Sequence, residues 1–384
     1  MDEVERPKVA LVYCEDYQPQ NVQSAVEKGL MLLGGIRCFA EQGEKILLKP
    51  NILSGAHPTK LISPHPEVFR AIAKAFKLSG AELSFGDSPG FGNPVSNAAR
   101  AGFIQVAEEE GVEWANFTDA CEVQFPQGRV MKKFSIAEGV YQNDGLISIA
   151  KLKTHALTRI TGAIKNQFGC IPGVRKAEFH SILPTAALFA QMLVDLNRLL
   201  NPRLFIMDAI VAMEGNGPRN GTSKPMHVLL FSTDAVALDA TACRLINLDV
   251  HLVETIIYGS EFGLGSYSDI DYVGDKLETF LTPDFVVNRS PQKTTTNTSF
   301  LSTNIMRRFT APRPTIKPAS CTKCGRCIEV CPAQPKALSW RNGSKMEPPI
   351  YDYTRCIRCY CCQELCPSEA IYVSTPLLGR IIRA

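Results

Sequence analysis

The sequence predicts an α/β protein with a doubly wound, mainly parallel sheet, followed by a small α+β domain organised by cysteines. Three observations carry that expectation. Short apolar runs alternate with helical patterns as far as residue 285. Composition then shifts to a basic stretch without a single acid. Beyond it, two cysteine runs repeat one spacing.

Six apolar runs read as strands, at 8–14, 44–51, 81–88, 145–152, 203–210 and 227–232. Most are continuous rather than alternating, as strands covered on both faces are. Helical patterns at 21–41, 66–79, 96–110, 184–200 and 234–247 separate many of them. That alternation is the mark of parallel strands joined by helical crossovers. Residues 112–143 carry a weaker pattern and are expected to hold β-rich irregular structure. The α/β domain therefore spans 1–285.

Residues 286–316 read as a basic linker, rich in Thr, Ser and Pro. The cations of this region are Arg289, Lys293, Arg307, Arg308, Arg313 and, just beyond, Lys317. Two readings stay open: a solvated connector, or a docking strip for an acidic redox partner. The cysteine domain spans 317–376, and 377–384 form a short apolar and basic tail. A docked or frayed end accounts for that tail, as does contact with a partner.

The totals bound the function. A chain of 384 residues accommodates two or three domains. With 45% hydrophobic and 21% charged residues, long disordered stretches are not expected. A net charge of +3 is too small to argue for nucleic acid as a partner. The start MDEVERPK is too charged for a signal peptide. No stretch approaches the roughly 20 apolar residues of a membrane span. Abundant free thiols fit a reducing, cytoplasmic setting in an organism that lives with little oxygen.

The cysteine runs are Cys321-x-x-Cys324-x-x-Cys327-x-x-x-Cys331-Pro332 and Cys356-x-x-Cys359-x-x-Cys362-x-x-x-Cys366-Pro367. This is the bacterial ferredoxin spacing for two [4Fe–4S] clusters. A cubane needs four thiolates; a short loop supplies three, and the fourth comes from the other run. One cluster is therefore assigned Cys321, Cys324, Cys327 and Cys366. The other takes Cys331, Cys356, Cys359 and Cys362. Zinc knuckles use two Cys-x-x-Cys pairs rather than four cysteines and a proline, twice over. Disulfides at this density do not suit a reducing compartment. Cys361 lies outside the pattern and reads as a packed thiol or a substitute ligand. Cys14, Cys38, Cys121, Cys170 and Cys243 have no ligand spacing and read as small buried hydrophobes.

A second group of residues lies at strand ends, where open α/β sheets bind ligands. The runs end in Lys49 and Asn51, in Asp87 and Ser88, and in Lys151, Lys153 and His155. Lys165, Asn166 and His180 follow, with Asp208, Glu214 and Arg219 from the fifth run. Four lysines in one crevice require carboxylates or a bound anion to neutralise them. Lys153, His155, Lys165 and His180 are the candidate acids and bases. Lys49, Asn51, Asp87, Lys151, Asn166, Asp208 and Glu214 are the candidate ligand-holding residues. The glycines of GDSPGFG and MEGNGPRNG would let backbone approach a ligand. Taken singly, each has a plainer role: a turn at Asp87 and Ser88, a helix cap at Asp234. His57, His65, His227 and His251 read as structural or surface. Walker and dinucleotide glycine motifs are absent from the sequence.

Six of these segments together resemble a known family. LLKPN (47–51), GDSPG (86–90), KLKTH (151–155), GAIKNQFG (162–169), MDAIVAMEGNGPRNG (207–221) and STDAVALDA (232–240) are similar, in order, to the domain of unknown function 362. The resemblance spans roughly residues 8–260. It implies an iron–sulfur protein of anaerobic or archaeal type, often with a C-terminal two-cluster ferredoxin domain, and assigns no reaction.

Three functions follow as expectations. The first is an iron–sulfur oxidoreductase that couples two [4Fe–4S] clusters to a small anion in the lysine-rich site. The second is an electron-transfer subunit whose α/β domain docks a redox protein partner. The third is a non-redox, metal-dependent enzyme with structural clusters, its metal held by His155, His180 and a carboxylate. An anion, a flavin or a further metal stays open as an additional ligand.

Overall fold

A computed structural model of the chain describes residues 6–173, 175–290 and 310–378. Lys293, Arg307 and Arg308 of the expected linker, and residues 379–384 of the tail, lie outside the described residues.

Eleven strands form in the α/β part: β1 (Lys8–Tyr13), β2 (Lys45–Pro50), β3 (Glu82–Phe85), β4 (Glu113–Trp114), β5 (Ala120–Gln124), β6 (Lys133–Ala137), β7 (Gly145–His155), β8 (Arg159–Thr161), β9 (Leu204–Glu214), β10 (Thr222–Ser232) and β11 (Asp271–Gly274). Nine of them make one sheet in the order β11-β1-β10-β9-β7-β2-β3-β4, with β8 paired to β7. Neighbours from β9 through β7, β2 and β3 to β4 are parallel. β10 runs against both β9 and β1, and β8 against β7. The reversal of β10 follows from its short connection, because only seven residues separate it from β9. A parallel return needs a crossover of a dozen or more. β5 and β6 pair as a separate hairpin within the stretch expected to be irregular.

Helices cover both faces. α1 (Pro19–Leu32), α2 (Pro66–Lys77), α3 (Pro94–Arg100) and α4 (Phe103–Glu110) come first in the chain. Val22 and Val26 of α1, Phe69, Ile72 and Phe76 of α2, and Phe103 of α4 pack in one core with Ile147, Ile149 and Ile206 of the sheet. α5 (Glu138–Tyr141), α6 (Ala163–Asn166), α7 (Arg175–Ile182), α8 (Ala186–Leu200), α9 (Ala235–Leu245) and α10 (Glu254–Glu261) follow. Phe189, Leu193 and Leu196 of α8, Val236 and Leu238 of α9, and Ile256 of α10 pack in a second core with Ala150, Leu152 and Met207. Alternate residues of β7 and β9 thus point into opposite cores, as the period of two requires.

The pattern at 96–110 breaks into α3 and α4 at Gly102, whose φ is 83°. A side chain there would also bring Cβ within 2.9 Å of Pro66. The pattern at 21–41 stops at Leu32 because Gly34 and Gly35 take positive φ. β7 and β9 run to 155 and 214, past the expected ends at 152 and 210. Lys153, His155 and Glu214 are therefore strand residues, not loop residues.

The cysteine domain adds strands β12 (Arg313–Ile316), β13 (Leu338–Ser339), β14 (Ile350–Tyr351) and β15 (Ile371–Ser374). β12 pairs with β15 and β13 with β14. Each cysteine run leads into one turn of helix, at Arg326–Glu329 and Cys361–Glu364. The duplication reaches the backbone. Lys323 and Gly325 take positive φ in the first run, as Arg358 and Tyr360 do at the matching positions of the second. No described helix is long and apolar enough to cross a membrane.

Candidate functional site

The sheet's carboxyl end holds three polar groups, and they are not one crevice. Lys49, at the end of β2, is fully buried. Its Nζ donates to Asp87 Oδ1 at 2.8 Å and to Asn166 Oδ1 at 2.9 Å. Asp87 Oδ2 accepts from Ile52 N at 2.8 Å, and Asn166 Nδ2 donates to Ser148 Oγ at 2.9 Å. A buried ion pair with its remaining lone pairs satisfied is the arrangement that offsets desolvation. Asn51 donates its N–H to Ile149 O, while its buried Oδ1 has no hydrogen-bond partner.

Lys151 belongs to a second network. Sheet alternation places it toward the core of Ile147 and Ile149, whereas Lys49 follows Leu47 to the other side. Its Nζ donates to Asp208 Oδ2 at 2.9 Å and to Tyr17 Oη at 2.8 Å. Tyr17 Oη donates to Asp208 Oδ1, and the Tyr17 ring stacks on His65 at 4.0 Å. Burial lowers the Lys151 ammonium, with the Asp208 charge opposing it. This network is closed on itself and reads as structural.

The third group is unlike the others, because its cations lack acids. Lys153 is buried, and its Nζ donates to Ile62 O. Lys176, on α7, is buried and donates to Ser88 O. Lys165, on α6, is half-buried and has no hydrogen bond or ion pair among the described residues. Burial, then repulsion from Lys165, pushes the Lys153 ammonium well below its ordinary value. Burial brings Lys176 down to about 7, against the pull of Asp87.

Two histidines face the same group. His155 Nδ1 accepts from Leu157 N at 3.1 Å and Thr158 N at 3.3 Å. Nδ1 therefore carries no proton, and the ring's proton sits on Nε2. Nε2 lies 2.7 Å from Glu364 Oε1, an oblique contact rather than an aligned hydrogen bond. Burial, reinforced by Lys165, holds His155 down to about 4. His180 stacks on Phe189 at 4.5 Å, and burial likewise holds it down to about 4. Burial opposes the Glu364 charge, but His155, Lys165 and His180 outweigh it and hold the carboxyl at about 2. At neutral pH the arrangement is two neutral imidazoles beside one carboxylate.

Glu364 comes from the cysteine domain, so that domain packs against this cationic group. Gln363 Nε2 donates to Asn216 Oδ1 and Gly217 O, each at 3.0 Å. Asn216 Nδ2 reaches Ile371 O, and Ser181 Oγ donates to Pro332 O at 2.8 Å. Thr154 Oγ1 fixes the Asn216 loop by donating to Gly215 O and accepting from Gly217 N. Asn216 and Gly217 of MEGNGPRNG thus meet the second domain. Glu214 does not join the crevice; its carboxylate accepts from Val286 N at 2.7 Å. Asp239, at the heart of α9, accepts from Ala163 N and Ile164 N and so aims α6, with Lys165 and Asn166, at the crevice.

The cysteines gather as the spacing expects. Cys321, Cys324, Cys327 and Cys366 line one cavity with Ile316, Pro349 and Ile371. Cys331, Cys356, Cys359 and Cys362 line another with Ala337, Leu338 and Ile357. Four thiols in an apolar wall fit a [4Fe–4S] cubane in each. Ala337 N and Tyr351 Oη direct their hydrogens at Cys331 Sγ and Cys362 Sγ, at 3.4 and 3.3 Å. Among the described residues, no three His, Cys, Asp or Glu side chains close on a single metal ion.

The sequence missed Lys176, Glu364 and Gln363. Lys176 stands in GVRKAEFH, between the expected strand at 145–152 and the helical pattern at 184–200. Glu364 and Gln363 were hidden inside the cysteine run, where every residue reads first as cluster loop.

Comparisons with known proteins match two stretches of the chain. The family described as "Domain of unknown function (DUF362)" matches residues 46–244. A 4Fe-4S dicluster domain matches residues 320–370. The thylakoid-associated protein sll1697 of Synechocystis sp. is 32% identical over 265 residues, covering 67% of this chain and 79% of that protein. Among solved structures, the lactate racemase apoprotein of Thermoanaerobacterium thermosaccharolyticum aligns with a TM-score of 0.39 at 12% identity, covering 64% of this chain and 58% of that one. A structural-genomics protein from Thermotoga maritima aligns at 0.35 and 8% identity, covering 61% and 60%. This chain thus spans less than two thirds of either solved chain, and at such scores neither likeness carries an argument about function. The chain belongs to the family of domain of unknown function 362 and is an iron–sulfur protein with a C-terminal 4Fe–4S dicluster domain.

Proposed function

We propose that the protein is an iron–sulfur oxidoreductase whose substrate is a small anion held in the Lys153–Lys165–Lys176 crevice. The observation that supports this most is the contact between Glu364 and His155. Glu364 lies between Cys362 and Cys366, so a cluster-bearing turn forms one wall of the cationic crevice. In the two cysteine quartets, [4Fe–4S] clusters would supply one-electron transfer at low potential. The chain's own residues do the rest. Lys165, the half-buried cation, meets the anion first, and Lys153 and Lys176 hold it. Lys153, whose ammonium burial makes acidic, is the proton donor, and the neutral rings of His155 and His180 flank the anion site. Reduction by two electrons would draw one from each cluster and two protons from this set. A reducing, cytoplasmic location suits the free thiols.

The test begins with anaerobic protein reduced by dithionite and freed of excess reductant. Small carboxylates and phosphates are then screened for reoxidation of the clusters, followed by their visible absorbance. The expected result is reoxidation by one anion class, slowed in Lys165→Met and in His155→Gln. Reoxidation that proceeds unchanged in both variants would sink the proposal.

A second reading rests on the cysteine exposure. Cys324 is solvent-exposed, whereas no cysteine of the second quartet is. In this reading the quartet that holds Cys324 would exchange electrons with a redox protein, and the thylakoid-associated relative is compatible with such a partner. Reduced protein that no small anion reoxidises, but that an electron-carrier protein does, selects this reading.

A further inference from the structure

We propose that the crevice selects an oxyanion carrying two negative charges, and that the anion draws protons in with it. This inference rests on the anion-site reading and specifies its ligand class.

The charges argue it first. Lys49 and Lys151 are matched one to one by Asp87 and Asp208. Among the described residues, Lys153, Lys165 and Lys176 have no carboxylate within ion-pair distance; of the two acids facing them, Asp87 is already paired with Lys49, which leaves Glu364. With all three lysines protonated, the crevice holds three positive charges against one negative. A dianion balances it; a monoanion leaves a cation buried, which is costly.

Hydrogen-bond capacity points the same way. An ammonium carries three donors. Lys153 and Lys176 each engage one, on Ile62 O and Ser88 O, and Lys165 engages none. The remaining donors suit a ligand with several acceptor oxygens, such as a dicarboxylate or a phosphate monoester. Lys165 is the partly exposed member of the three and the one solvent reaches.

Proton uptake follows from what surrounds the two buried amines. Lys153 faces Lys165, Glu364, Asp87 and Lys151; Lys176 faces Asp87, Lys49, Cys170 and Lys165. Burial is the largest influence on both, and it disfavours the charged form. An arriving dianion reverses that preference, so binding and protonation are linked.

The test is calorimetric titration of the anaerobic full-length holoprotein at pH 8 with sulfate, succinate and acetate. Each titration is run in two buffers of different ionisation enthalpy, which reports protons taken up. Sulfate stands for a tetrahedral phosphoester-like group and succinate for a dicarboxylate, so the better of the two names the source. The expected result is at least about tenfold tighter binding of one dianion than of acetate, with uptake of about one proton. Lys165→Met should weaken that dianion about tenfold, and Lys176→Met should reduce the proton uptake. Acetate binding as tightly as both dianions, and still lost in Lys165→Met, overturns the charge selection while leaving the anion site standing. Dianion binding without proton uptake overturns the linkage. Failure of every anion to bind overturns both this inference and the reading beneath it.

Discussion

Gly169 lies against the carboxylate of Asp87 so closely that a methyl group on Gly169 would sit 1.8 Å from Oδ1. It would also come within 2.6 Å of Lys49 Nζ. The glycine of GAIKNQFG is there because the buried ion pair occupies the space a side chain needs. Ser88 N donates to Gly169 O at 3.0 Å, which leaves the segment little freedom to move away.

Gly169→Ala is therefore expected to break the Lys49–Asp87 pair or displace its strand ends. Overpacking costs about 1–3 kcal/mol, and a disrupted buried pair adds to that. Chemical denaturation followed by circular dichroism measures it. A variant within about 0.5 kcal/mol of the parent would show that the strand ends yield easily.

The Lys151–Asp208 pair gives a test of desolvation. Asp208→Leu leaves Lys151 buried beside Tyr17 with its carboxylate gone and should cost about 3–5 kcal/mol. Lys151→Met combined with Asp208→Leu removes both charges and should recover much of that loss. A double variant as unstable as the single one would assign the loss to packing or to the Asp208 bonds with His65 N and Ile210 N.

Acid should destabilise the fold through its buried histidines. His180 in the folded state titrates near 4, below the ordinary 6.5. Its folded pKa is depressed, so the stability it contributes is present above about 6.5 and is lost as pH falls toward 4. The loss from His180 alone is about 2 kcal/mol between pH 7 and pH 5. His180→Phe keeps the stack on Phe189 and should flatten that part of the profile. An unchanged pH slope in the variant would place the acid sensitivity elsewhere, with His155 the next residue to replace.

Exchange of the fourth ligand between runs is directly testable. Cys366→Ala should perturb the same electron paramagnetic resonance signal as Cys324→Ala, although 366 belongs to the second run. Cys331→Ala should share its signal with Cys356→Ala. Pairing by run instead, with Cys331 grouped beside Cys324, would contradict the two cavities.

Much of this molecule was legible before its structure. The strands at 8–14, 44–51 and 145–152 centre on apolar runs, and burial on both faces is what such runs announce. The cysteine quartets follow from spacing, since a cubane leaves few ways to distribute its ligands. The sorting of the lysines was not legible. Lys151 and Lys153 are two residues apart, yet one meets Asp208 and Tyr17 while the other meets Ile62 O. A shift of register between Lys151 and Lys153 in the β7–β9 pairing separates them, and no local pattern marks it. Glu364 was illegible for another reason: its role depends on how two domains sit together, which is not a property of either stretch of sequence.

The turn Cys361–Glu364 has a consequence for exchanging the cysteine domain. Gln363 and Glu364 are two side chains by which the ferredoxin module fits this particular α/β partner, through Asn216, Gly217 and His155. A ferredoxin module borrowed from another protein would keep its cysteines and its redox chemistry. Lacking an amide and an acid at these two positions, it would be a passenger rather than a wall of the crevice. Two residues that no cluster motif includes thus join the ferredoxin module to this α/β domain, beside the backbone contacts at Pro332 and Ile371.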